Sequence, residues 1–163
     1  MTDLSRRTLL GSGLAAGIGL LVFARGSSPA EAAQHFEVTH SGQDWRRMLG
    51  GERYAVLREA RTERAGSSPL LKEHRRGTFG CAGCGQPLFS STTKFESGTG
   101  WPSFWRALPH AVVEREDRAF GMERTEILCR RCGGHLGHVF NDGPKPTGLR
   151  YCMNGRALTF RPA

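Results

Sequence analysis

Residues 129–144 read Cys129-Arg-Arg-Cys132-Gly-Gly-His135-Leu-Gly-His138-Val-Phe-Asn-Asp142-Gly-Pro144. Two residues between cysteines make a tight turn that aims both sulfurs at one point, and the glycines behind it relieve backbone strain. A short apolar run, 137–140, follows and is stopped by Asn-Asp-Gly-Pro, which reads as a strand running into a turn. The same texture fills the chain from Thr78 onward. Further strands are expected at 87–89, 111–115, 125–128, 150–153 and 158–161. Segments this short and close, with no helical pattern between them, predict antiparallel pairing rather than βαβ units. The expected fold is mainly β: a barrel-like antiparallel body of two small sheets, with short N-terminal helices and a metal-knuckle clip. Asp44 is the expected cap of a first helix carrying Trp45, Met48 and Leu49. Gly50-Gly51 breaks it, and 52–61 reads as a second helix with Tyr54, Leu57 and Arg61 at near-helical spacing.

The composition agrees with one packed domain. The chain has 163 residues, 38% hydrophobic and 23% charged, with nine Phe and three Trp to supply a core, which excludes disorder as its main description. The 22 Gly follow no period and no heptad is sustained, which excludes collagen-like and coiled-coil classes. The net charge of +8 comes almost wholly from Arg, since Lys72, Lys94 and Lys145 are the lysines. The Arg are scattered, so the basic balance reads as a solvated surface and not as a nucleic-acid footprint.

Residues 1–32 read as an address. Ser5-Arg6-Arg7-Thr8-Leu9-Leu10 precedes a short glycine-rich apolar run, Arg25 follows it, and Ala30-Glu31-Ala32 offers small residues for cleavage. This pattern resembles a twin-arginine signal, which exports proteins already folded. The run is short and rich in Gly for a membrane span, and an uncleaved N-terminal anchor is the alternative. Residues 33–163 are then a single domain, exported to the periplasm or beyond, with no stable membrane insertion after cleavage.

Cys81-Ala-Gly-Cys84 and Cys129-Arg-Arg-Cys132 together offer four thiolates, the ligand set of a closed structural zinc site. Cys84 and Cys129 are far apart in sequence, so the ion would clip two remote hairpins. Two disulfides, a thioredoxin-like redox pair and an iron S₄ centre are the alternatives.

The fifth cysteine is unpaired by this count. Cys152 lies in Arg150-Tyr-Cys-Met-Asn154, where the Arg150 charge favours a thiolate. His135, His138 and Asp142 lie just upstream. A lone Cys with His and Asp nearby has the ingredients of a nucleophile with an acid–base partner. An inert buried Cys beside a histidine-bearing strand is the plainer reading.

Residues 81–105, CAGCGQPLFSSTTKFESGTGWPSFW, resemble the methionine-R-sulfoxide reductase B family, as do HLGHVFNDGPKPTG and LRYCMN. The resemblance spans about 45–160. It implies reduction of methionine-R-sulfoxide in peptides and proteins, with Cys152 as the nucleophile that ends as a sulfenic acid. It implies His138 as the group that protonates or hydrogen-bonds the sulfoxide oxygen. His135, Asp142, Arg150 and Asn154 would form the polar shell, and Trp101 the aromatic wall that holds the substrate methyl. One structural Zn²⁺ on Cys81, Cys84, Cys129 and Cys132 is implied, with a thioredoxin-like reductant as partner and a monomeric enzyme.

One position departs from the family pattern. Many members carry a resolving Cys where this chain has Thr99, in Ser97-Gly98-Thr99-Gly100-Trp101. With four Cys on metal and one as nucleophile, an external thiol must reduce the sulfenic acid. Two other functions remain open: a zinc-dependent binding module in which Cys152 is incidental, and a sensor whose Cys152 sulfenic acid is the signal.

Overall fold

Ser41 opens the first element: its hydroxyl accepts the Asp44 backbone N–H and caps α1, Gly42–Glu59. The cap is therefore Ser41, not Asp44. Asp44 sits inside the first turn, where its carboxylate meets the positive end of the helix dipole. Gly50, at φ 70° and ψ 173°, breaks the helix internally, so the two expected helices are two arms of one kinked element. Ala60 ends it in the left-handed region, just short of Arg61. Trp45, Val56 and Leu57 are buried, whereas Met48 turns outward and is 55% exposed.

The computed structural model describes residues 35–118, 121 and 123–163; the signal read over 1–32 lies outside the described residues. The described residues carry nine strands: β1 Gly77–Cys81, β2 Pro87–Ser90, β3 Lys94–Phe95, β4 Ser103–Phe104, β5 Val112–Asp117, β6 Arg124–Cys129, β7 His135–Phe140, β8 Arg150–Met153 and β9 Leu158–Pro162. All six expected strands are present, most of them longer by a residue or two. The others, β1, β3 and β4, were not expected. β1 carries two glycines, Gly77 and Gly80, within its five residues, and β3 and β4 are too short to show alternation.

Every pairing is antiparallel. One sheet runs β2-β1-β9 and the other β3-β4-β8-β7-β6-β5. Both sheets are open, so the body is mainly β as expected but is not a closed barrel. Phe79, Phe89 and Phe104 are fully buried, with Phe89 stacked on Phe104 and Phe79 edge-on to it at centroid distances of 4.4 and 4.9 Å. Leu88, Ile127, Leu136, Met153 and Leu158 complete the centre. Each such side chain contributes roughly 1.5–3 kcal/mol by leaving water.

Two register features place the functional strands. A bulge between Ile127 and Leu128 brings His135 opposite Leu128 and leaves His138 opposite Glu126. Gly137, at φ +156°, lies so close to β8 that a Cβ there would run into the Cys152 carbonyl oxygen. Only a glycine lets β7 approach β8 this way.

Candidate active site and metal centre

The first knuckle leaves the end of β1 and the second the end of β6, so one cluster joins the two sheets. The Gly85 N–H donates to the Cys81 carbonyl and the Gly133 N–H to the Cys129 carbonyl, each at 2.8 Å. Gly85 and Gly133 take φ values of 75° and 68°, the left-handed step that closes each turn. The Sγ atoms of Cys81, Cys84, Cys129 and Cys132 all lie within 4.8 Å of one another. Cys81 to Cys132 is 3.7 Å and Cys84 to Cys129 is 3.6 Å. A tetrahedral ion with metal–sulfur bonds of about 2.3 Å sets its sulfurs about 3.8 Å apart. A disulfide needs about 2.05 Å. The donor set therefore fits a four-thiolate metal centre, and the geometry is not that of two disulfides. The Gly83 N–H also donates to Cys81 Sγ at 3.3 Å, the kind of bond that supports a coordinated thiolate.

The second centre lies on the six-stranded sheet. Cys152 on β8 stands opposite Ser103 on β4 and opposite His138 on β7. Directly opposed residues share a face, so the register alone brings His138 beside the half-buried thiol. Both line one pocket of about 170 Å³, together with Trp101, Asn154, Phe140 and Arg124. Thr62 and Gly137 complete its wall. A second pocket, of about 430 Å³, shares Arg124 and Phe140 and holds no cysteine.

Of the residues expected at the site, Cys152, His138, Trp101 and Asn154 reach this pocket. His135, Arg150 and Asp142 stand behind or beside it. Arg150 grips Asp142 through two hydrogen bonds, at 2.8 and 2.9 Å, and stacks over the Phe140 ring at 4.4 Å. The guanidinium is held above its ordinary range first by Asp142 and also by the Cys152 sulfur. Arg150 holds the Asp142 carboxyl below its usual range. The pair thus fixes a permanent cation next to the sulfur. Asn154 spends its carboxamide on backbone: Oδ1 accepts the Glu63 N–H at 3.0 Å and Nδ2 donates to the Leu136 carbonyl at 3.2 Å.

His138 Nε2 lies 2.9 Å from Asp117 Oδ2, and the Arg124 guanidinium lies 2.6 Å from the same oxygen. A carboxylate held by Arg124 only accepts, so the His138 proton sits on Nε2, and Nδ1 has no hydrogen-bond partner among the described residues. Burial first, and then the Arg124 and His135 charges, push His138 below the ordinary imidazole range, while Asp117 pulls it back up. His135 is 4% exposed, and its Nδ1 lies 2.6 Å from Glu126 Oε1. Burial alone would raise Glu126, but the bonds from His135 and Arg115 outweigh it and hold the carboxyl low.

Several of these residues carry no sequence signal. Asp117, Arg124 and Glu126 sit on β5 and β6 in an ordinary-looking run of charges. Glu63 lies in a loop after α1. Its backbone carbonyl accepts the Trp101 indole N–H at 3.1 Å, and its carboxylate accepts the Gly155 and Arg156 N–H groups at 2.5 and 3.0 Å. It therefore holds both the pocket wall and the end of β8. The one available cue was that a buried acid needs donors; nothing local says where they are.

Comparison with known proteins matches residues 49–162 to the SelR domain. A peptide methionine sulfoxide reductase MsrB of Leptospira interrogans is 55% identical over 128 residues, covering 78% of this chain and 98% of its own length. The protein of the same name from Thiobacillus denitrificans is 58% identical over 119 residues, 72% of this chain and 90% of its own. That from Methanosarcina barkeri is 51% identical over 125 residues, 76% of this chain and 88% of its own. With the pocket, the paired Cys152 and His138 and the four-thiolate cluster in place, the chain belongs to the SelR domain family, alongside the MsrB proteins, and is an oxidoreductase.

Proposed function

We propose that the protein reduces methionine-R-sulfoxide in oxidised peptides and proteins to methionine. The observation that carries this is the juxtaposition of Cys152 and His138 across β7 and β8, in a pocket walled by Trp101. At about 170 Å³ it is smaller than the ~300–1,000 Å³ typical of small-molecule sites, and so suits one side chain of a larger chain. The Trp101 face packs the S-methyl group.

The Cys152 thiolate attacks the sulfoxide sulfur as a proton is delivered to the sulfoxide oxygen. The sulfur–oxygen bond of the substrate breaks and its oxygen, protonated twice, leaves as water, which leaves Cys152 bonded to the substrate sulfur as a sulfonium. Water then attacks Cys152 Sγ, the sulfur–sulfur bond breaks, methionine leaves with its electron pair, and Cys152 is oxidised to sulfenic acid. His138 supplies the proton: once Nδ1 is protonated the ring is an imidazolium that Asp117 holds by Nε2. One fixed donor in a chiral pocket accepts one sulfoxide epimer. The metal on Cys81, Cys84, Cys129 and Cys132 is zinc, which would tie the two sheets together and take no part in the redox step.

Thr99 stands 3.7 Å from Cys152, where a resolving thiol would otherwise sit. An external dithiol, of thioredoxin-like type, therefore reduces the sulfenic acid, releasing water and taking the oxidation as its own disulfide. The signal over 1–32 supports twin-arginine export, which places this repair of oxidised proteins outside the cytoplasm, in a monomeric enzyme.

The test is turnover of racemic methionine sulfoxide with dithiothreitol. Conversion should stop at half, and Cys152→Ser should abolish it. After one turnover without reductant, labelling should find one sulfenic acid and no intramolecular disulfide. A disulfide from Cys152 to Cys81, Cys84, Cys129 or Cys132 would overturn the external-reductant reading.

A further inference from the structure

A line of hydroxyls runs from the pocket to a backbone carbonyl. Ser103 Oγ donates to the Trp101 carbonyl oxygen at 3.1 Å. Ser97 Oγ lies 2.7 Å from Ser103 Oγ and 2.8 Å from Thr99 Oγ1. Thr99 Oγ1 in turn lies 3.7 Å from Cys152 Sγ. Each hydroxyl has one proton to give, and a carbonyl only accepts. The Ser103 proton is committed to Trp101. Ser97 must then donate to Ser103, Thr99 to Ser97, and the Cys152 thiol to Thr99. Ser97 also accepts the Thr99 N–H at 3.4 Å, which agrees with its own proton pointing away toward Ser103.

A thiolate reverses the demand. It only accepts, so Thr99 must turn to the sulfur, Ser97 to Thr99 and Ser103 to Ser97. The Trp101 carbonyl then loses its Ser103 donor, and Ser103 is 1% exposed, so the hydroxyl that turns away finds its new partner inside the protein, at Ser97. We infer that Ser97, Thr99 and Ser103 are positioning residues: a hydroxyl chain whose direction is set at the Trp101 carbonyl and which governs how readily Cys152 releases its proton. This rests on Cys152 being the nucleophile and adds what tunes it.

The chain has two opposed effects. Thr99 stabilises the thiolate, because a bond to a charged sulfur is stronger than one to a neutral thiol. The Ser103 anchor opposes it, because ionisation costs the bond to Trp101. The charged groups around Cys152 are Arg150 on β8, His138 on β7, and Arg124 and Asp117 behind His138. The Glu63 carboxylate is turned to the Gly155 and Arg156 amides. All of these are common to every variant below.

The experiment is the pH profile of iodoacetamide alkylation at Cys152, followed by peptide mass on the metal-loaded protein. Thr99→Val should move the midpoint up by roughly 0.4–1 pH unit, and Thr99→Ser should restore it. Ser103→Ala should move it the opposite way, because ionisation no longer costs the Trp101 bond. If Ser103→Ala does not fold, Ser97→Ala carries the same sign, since it frees the Thr99 proton for the sulfur. Opposite shifts support the chain. Shifts of one sign, or none, overturn it. Alkylation reads the chain without turnover, so a Cys152→Ser protein that still reduced sulfoxide would sink the nucleophile assignment alone.

Discussion

His138 and Asp117 are joined at 2.9 Å across three adjacent strands, although 21 residues separate them in sequence. Burial and neighbouring cations drive the imidazole toward neutrality, and Asp117 is the group that resists. Removing it should therefore make His138 a poorer proton carrier without disturbing the apolar wall of the pocket. Asp117→Asn should lower the single-turnover rate on the order of tenfold near neutral pH and shift the falling alkaline limb to lower pH. KM should change little. A profile whose limb stays in place would show that Asp117 does not support the acid.

The same depressed titration has a stability sign. A histidine with a lowered folded value binds fewer protons folded than unfolded. It contributes stability present above the ordinary value of about 6.5 and lost as pH falls through its folded value. Urea melts from neutral into acid pH should show that loss, and His138→Gln should flatten it.

His138→Ala and Trp101→Ala should separate chemistry from binding. The first should slow the chemical step roughly 10²–10⁴-fold, the usual range for a lost acid. The second should chiefly raise KM, because the indole offers apolar contact and its one polar atom is committed to the Glu63 carbonyl. Rapid-quench single turnover on both variants decides it: a His138→Ala rate near wild type would remove the acid assignment.

Cys129→Ser takes one ligand from the cluster that joins β1 to β6. Metal affinity here is folding free energy. Both the variant and the chelated wild type should lose bound metal and melt more than about 10 °C lower. A metal-free protein with an unchanged melting curve would show the cluster to be dispensable.

Gly137→Ala places a Cβ against the Cys152 carbonyl oxygen and Met153 Cα, in a backbone region that L residues rarely adopt. The expected cost is about 2–4 kcal/mol, read by denaturant unfolding. Activity should fall further than stability explains, because the strand that moves carries His138.

Much of this was legible in the sequence because it is written locally. Two C-x-x-C turns with glycine behind each announce their own geometry, and six strands announce themselves by short apolar runs between turn residues. Cys152 and His138 were also legible, by residue type and by resemblance. The rest depends on pairing across distance. Nothing near Asp117 says that it will face His138, since that follows from the register of three strands. Glu63 gives no sign that its carboxylate will be buried against the Gly155 and Arg156 amides. The cap was misplaced because Asp44 and Ser41 are both good caps, and only the backbone geometry chooses Ser41.

The two open sheets leave four borders, and each discourages a further strand. β5 ends the larger sheet with Glu114, Arg115 and Glu116 all exposed, and β3 at its other border is two residues long. In the smaller sheet β2 spans four residues, and β9 closes on a proline that has no N–H to offer. Charge, brevity and proline are the features that keep sheet borders from templating aggregation. An oxidised, partly unfolded polypeptide is itself rich in unpaired backbone. Under the proposed function such a chain is the substrate, and borders that offer it no template favour its release.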